Sequence, residues 1–178
     1  MNPTYGHDVS PPVGEQDHVQ GSPNAPIVLV EYCDYQSAQC AQAHQIIQQL
    51  QCQLGEKFCF VLRHFPSPSH PQSLRAAEAV EAANAQEKFW LMHNTLFAHQ
   101  RALEDADLVE YANTLNLDIP RFLRELSTRM YLDRVQTDID SGRSNGVEEA
   151  PTFFISVRHT GAQNLEALLM TLLQTSMA

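Results

Sequence analysis

IVLVEYCDYQSAQCAQAH, residues 27–44, holds the change of pattern on which the fold turns. Ile27-Val28-Leu29-Val30 is an unbroken aliphatic run, which predicts a strand buried on both faces and therefore central in a sheet. From Ser37 the period changes. Ala43, Ile46, Ile47, Leu50 and Leu54 recur at three- and four-residue spacing, the pattern of an amphipathic helix. Ser37 is a good N-cap and Gly55 a plausible stop. On this helix Cys40 falls at the margin of the apolar face and Cys52 on the opposite, polar face. Phe58-Cys59-Phe60-Val61-Leu62 predicts a second strand, ending at Phe65-Pro66. Strand, helix, strand favours a parallel pair with a right-handed crossover.

Before this unit, residues 1–24 are rich in Pro, Gly, Ser and polar residues and read as a flexible lead. After it, residues from about 70 to 142 are helical in pattern: Leu74 to Ala85, then Lys88 to His99, then a helix capped by Asp105 or Asp107. One further helix has Pro120 in its first turn, and the last runs from Tyr131 to Gly142. The chain then returns to strand at Thr152-Phe153-Phe154-Ile155. Val157 to Thr160 is the expected hairpin partner, and Leu165 to Leu173 a closing helix. The order is βαβ, a helical insertion, then ββα. It divides the chain into a lead (1–24), an α/β domain in two pieces (25–66 and 143–178) and an inserted helical subdomain (67–142).

The chain has 178 residues and a formal net charge of −10, with no Lys/Arg cluster, which argues against nucleic acid and anionic membrane surfaces as partners. No apolar run is long enough to span a bilayer, so no membrane insertion is expected. The N-terminus lacks a basic and then apolar leader, so the expected location is cytoplasmic, or periplasmic if a leader has been trimmed. Cys33, Cys40, Cys52 and Cys59 do not form a disulfide framework of the small secreted kind. His64, His70, His93 and His99 are scattered, and no metal site is expected.

The order of motifs resembles the DsbA-like branch of the thioredoxin superfamily over nearly the whole chain. The strings that carry the resemblance are DHVQGSPNAPIVLVEY, RHFP followed by HPQSLRAAEA, AQEKFWLMHNTLF and VEEAPTFFI. It implies a thioredoxin-like α/β fold with a helical insertion of the DsbA type and thiol–disulfide oxidoreductase ancestry. Relatives include soluble members and modules fused to membrane transporters. Pro151 matches the family's cis-proline, with Ala150 offering its backbone to an extended thiol-bearing peptide; the plain alternative is a proline that starts an edge strand. Glu31 matches a buried acidic residue. Burial would raise its pKa and allow proton exchange with Cys40 through a water, unless the side chain reaches solvent at the strand end. Cys40 matches the second, resolving cysteine, and equally reads as a small buried hydrophobe.

The departures bear on function. Ser37-Ala38-Gln39-Cys40 stands where the family has Cys-x-x-Cys, so the nucleophile position holds a hydroxyl that cannot form a disulfide. A natural serine and an introduced one read alike. Cys33 replaces a glycine, Glu149-Ala150 replaces Gly-Thr, and Ile155-Ser156-Val157 lacks the family's Asn-Gly hairpin turn. Cys33 is an alternative redox partner for Cys40 if the two approach within disulfide range. Three functions compete: single-thiol chemistry through Cys40, or two-thiol chemistry with Cys33; a redox-silent module that binds a protein or extended peptide beside Pro151; and a glutathione-dependent transferase or isomerase in which Ser37 holds the thiolate of the co-substrate glutathione. Phe89 and Trp90 either line the groove or belong to the core.

Overall fold

The computed structural model describes residues 4–5 and 9–157. Among these residues a five-stranded mixed sheet runs in the order β1-β5-β3-β4-β2. Its strands are β1 (Thr4–Tyr5), β2 (His18–Gln20), β3 (Ile27–Cys33), β4 (Phe58–His64) and β5 (Thr152–Val157). The aliphatic run of β3 lies in the middle of the sheet, all seven residues buried. It pairs parallel with β4, Ile27 opposite Phe58, and antiparallel with β5, Ile27 opposite Val157. Helix α1 (Ala38–Leu54) makes the crossover from β3 to β4 and ends at Gly55, whose φ is 50°.

Alternation along the central strands builds two cores. Ile27, Leu29 and Cys33 of β3 and Phe58, Phe60 and Leu62 of β4 meet Cys40, Ala43, Ile47 and Leu50 of α1. Val28, Val30, Tyr32, Cys59 and Val61 face the other way, with Phe154 and Val147. Glu31 is therefore on the α1 side by the pleat. Five helices fill the insertion between β4 and β5: α2 (Ser73–Asn84), α3 (Phe89–Ala98), α4 (Asp105–Thr114), α5 (Ile119–Ser127) and α6 (Leu132–Ser144). Helix α5 has Asp118 as N-cap and a proline in its first turn. Helix α4 is capped by Glu104, not by Asp105 or Asp107; Asp107 instead accepts from the Glu104 N–H at 3.0 Å.

The reading of residues 1–24 as a flexible lead needs correction. β2 pairs antiparallel with β4 and β1 parallel with β5. Asp17 is fixed by the buried Arg63 guanidinium at 2.7 and 3.0 Å. Composition hid this because the anchors are single residues: Asp17, a buried His18, and Gly21. Gly21 has a φ of +97°, and a Cβ there would meet the Phe58 carbonyl oxygen at 2.6 Å. Phe89 is core, not groove lining. Its ring stacks on His18 at 3.6 Å between centroids, and Trp90 packs against Phe60 at 5.8 Å. The expected hairpin partner and closing helix lie outside the described residues.

Candidate active site

The end of β3 turns into α1 through Asp34, Tyr35 and Gln36. Asp34 drives the turn: its Oδ1 accepts from the Gln36 N–H at 2.8 Å, an Asx turn, and from the Ser73 hydroxyl. Its Oδ2 accepts from the Ser67 N–H at 2.8 Å and pairs with His70 Nδ1 at 2.7 Å. Gln100 clamps the loop from the helical side, donating to the carbonyls of Tyr35 at 2.8 Å and Ser37 at 2.7 Å. Both residues escaped the sequence reading. Asp34 carried a signal, an aspartate just before a helix start, whereas Gln100 carried none.

Ser37 caps α1. Its Oγ accepts from the Cys40 N–H at 3.3 Å and donates to the Ala150 carbonyl at 3.3 Å. The Ala150–Pro151 bond is cis. Helix start and proline loop thus meet through one hydroxyl, on a residue only 6% exposed. Cys40, three residues on, is fully buried, and its Sγ accepts from the Asp34 N–H at 3.4 Å. A hydroxyl in this place cannot act as a thiolate nucleophile.

Behind Ser37 lies a second cluster. A Glu31 carboxylate oxygen and the Sγ atoms of Cys33 and Cys40 all lie within 4.8 Å of one another, and all three residues are buried. Burial raises the Glu31 carboxyl to about 8, partly opposed by a hydrogen bond with Cys33. Its Oε1 has no partner among the described residues. Burial also pushes the Cys33 thiol well up, reinforced by its hydrogen bond with Cys40 and by the Glu31 charge. Sequence reasoning put a water between Glu31 and Cys40; the Cys33 thiol touches both. Cys52 is exposed on the far face of α1.

Two histidine clusters flank this centre, and spacing in the sequence had suggested neither. His18 Nε2 and His64 Nε2 both meet Glu81 Oε1, at 2.7 and 3.0 Å. The three bring possible ligand atoms within 4.8 Å of one another, but the Arg134 guanidinium 3.8 Å from Glu81 already supplies the positive charge a cation would bring. Burial alone would raise the Glu81 carboxyl; the hydrogen bonds from His18 and His64 bring it well below the usual range. Farther along α1, His44 Nδ1 meets His93 Nε2 at 3.2 Å, and His93 Nδ1 meets the Tyr35 hydroxyl at 3.1 Å. Burial lowers His44 to about 4, and burial together with the neighbouring histidines holds His93 well below the ordinary value.

A strand running into a capped helix, a buried thiol on its first turn and a cis-proline loop against its cap make up a site of thioredoxin-fold type, with the Ser37 hydroxyl at the cap. The chain belongs to the thioredoxin family: a family model described as Thioredoxin matches residues 14–173. Among solved structures, a thioredoxin-like oxidoreductase from Silicibacter pomeroyi superposes with a TM-score of 0.73 at 21% identity, covering 87% of this chain and 91% of that one. The alpha-DsbA1 of Wolbachia pipientis gives 0.71 at 18% identity, covering 93% and 94%. Among sequence relatives, the Na(+)/H(+) antiporter NhaA 3 of Salinispora tropica is 41% identical over 156 residues, 86% of this chain and 24% of that protein. The antiporter NhaA of Herminiimonas arsenicoxydans is 38% identical over 151 residues, again 24% of its length. The chain spans about a quarter of the known relatives it matches. No helix among the described residues is long and apolar enough to cross a membrane.

Proposed function

We propose that this DsbA-like protein has lost two-cysteine exchange between positions 37 and 40 and uses the groove beside Pro151 to bind an extended peptide or a protein thiol without turnover. One observation carries this reading: the Ser37 hydroxyl occupies the outer position and is committed on both sides, to Cys40 N and Ala150 O, while Cys40 is fully buried. Single-thiol chemistry through Cys40 would need an incoming sulfur to reach an atom with no open surface. The glutathione reading would need the Ser37 proton for a bound thiolate, and that proton is donated to Ala150.

The test is an insulin-reduction assay on this chain beside its Ser37→Cys variant, with binding of reduced insulin B chain measured by calorimetry in parallel. Binding without turnover by the chain, and turnover gained by the variant, is the expected result. Equal turnover by both would overturn the proposal, as would absence of any B-chain binding.

A further inference from the structure

We propose that Cys33 and Cys40 form a buried, reversible disulfide with a hydroperoxide as oxidant, so that the dithiol chemistry absent at the surface persists one layer deeper. This stands apart from peptide binding beside Pro151, and its test does not depend on that reading.

Three observations converge on the pair. Cys33 is the last residue of β3 and Cys40 lies in the first turn of α1, and their sulfurs are within 4.8 Å of each other. The two thiols are also hydrogen-bonded to each other, so the sulfurs already face one another across the gap a disulfide would close. Glu31 supplies the third part: a buried carboxyl hydrogen-bonded to Cys33, with one oxygen unpartnered among the described residues. That one oxygen is buried at a cost no hydrogen bond among the described residues offsets, and a proton-transfer role accounts for it.

The burial selects the oxidant. Cys33 is 1% and Cys40 0% exposed. Exchange with glutathione disulfide would have to lodge a tripeptide on one of these sulfurs, whereas hydrogen peroxide is little larger than water. Above about pH 8, where the Glu31 carboxyl is ionised, its carboxylate takes the proton from Cys33 and returns it to the departing hydroxide. The thiolate attacks one peroxide oxygen, the O–O bond breaks, and Cys33 carries S–OH while hydroxide leaves and is protonated to water. Cys40 then attacks the Cys33 sulfur, the S–O bond breaks, and a second water leaves with the Cys40 proton. Two thiols lose two electrons, and one peroxide becomes two waters. The new bond ties the end of β3 to the first turn of α1, directly beneath the Ser37 cap.

The Cys52→Ser chain, which lacks the exposed thiol, is treated with hydrogen peroxide, unfolded in alkylating agent and cleaved at Tyr35 with chymotrypsin. That cut is needed because no Lys or Arg lies between the two cysteines. The expected product is a Cys33–Cys40 linked peptide that dithiothreitol separates, with Cys59 alkylated and no adduct after glutathione disulfide treatment. Recovery of Cys33 and Cys40 both alkylated, or each as a separate sulfinic acid, overturns the proposal. In a Cys33→Ala background Cys40 is expected to be recovered alkylated; a Cys40–Cys59 disulfide in either chain overturns it too.

Discussion

Glu31 makes the folded state sensitive to alkali, and the effect can be sized. Its carboxyl has a pKa of about 8 in the folded chain against an ordinary 4.5. Between those values the native chain binds more protons than the unfolded one, so stability falls as pH rises. The loss begins near pH 4.5, steepens to about 1.4 kcal/mol per pH unit, levels above pH 8, and totals about 5 kcal/mol. Between pH 5 and pH 8 it amounts to about 3.5 kcal/mol. Glu31→Gln keeps the shape and removes the titration. The amide brings new N–H donors into a site with little to accept them, a penalty of about 1–3 kcal/mol that does not vary with pH. The gap between variant and parent in urea unfolding is therefore expected to move in the variant's favour by about 3.5 kcal/mol from pH 5 to pH 8, whatever its starting value. Cys33, which responds to the Glu31 charge, is pushed well up by burial and stays a thiol over this range, and titrations of groups remote from Glu31 are common to both chains and cancel. Parallel curves across that range would refute the reasoning, since they would mean that Glu31 is solvated or already ionised.

Asp34→Ala removes the acceptor for Gln36, Ser67, Ser73 and His70, and is expected to lower unfolding free energy by about 3 kcal/mol; a loss under about 1 kcal/mol would show that water replaces the carboxylate. Asp17→Ala strands the buried Arg63 charge and should destabilise by about 3–5 kcal/mol in the same assay. Gly142→Ala puts a Cβ 2.7 Å from the Phe65 ring, for an expected loss of about 1–3 kcal/mol; an unchanged melting temperature would mean that the ring swings freely. His44, lowered to about 4 by burial, is neutral at pH 7, so the stability it contributes is lost as pH falls from about 6.5 towards 4. Its imidazole resonances in an NMR titration should turn over near that lower value, and a midpoint near 6.5 would contradict the burial.

The central features were legible because each is a local pattern. The aliphatic run of Ile27–Val30 gave the middle strand, and the three-and-four spacing from Ala43 to Leu54 gave α1 together with its Ser37 and Gly55 ends. The unread parts are long-range pairings with no local signature. Gln100 reaches the loop from 63 residues away in the chain. His18 and His64 become neighbours only because β2 pairs with β4, and the short polar sequence around His18 has no strand-length period to announce that pairing. Phe89 was ambiguous for a related reason: an aromatic residue on a helix fits core and groove alike until its stacking partner is known.

The strand order carries one more consequence. Among the described residues β1 and β2 are the two outermost strands of the sheet, and both come from the first twenty residues. One short stretch of sequence therefore supplies the strands at both margins of the described sheet. Cutting it after Gly21 would uncover two rows of unpaired backbone groups at once, along the buried aromatic strands β4 and β5. Such rows template intermolecular pairing, so the shortened chain is expected to self-associate into sheet-rich aggregates before it loses its helices.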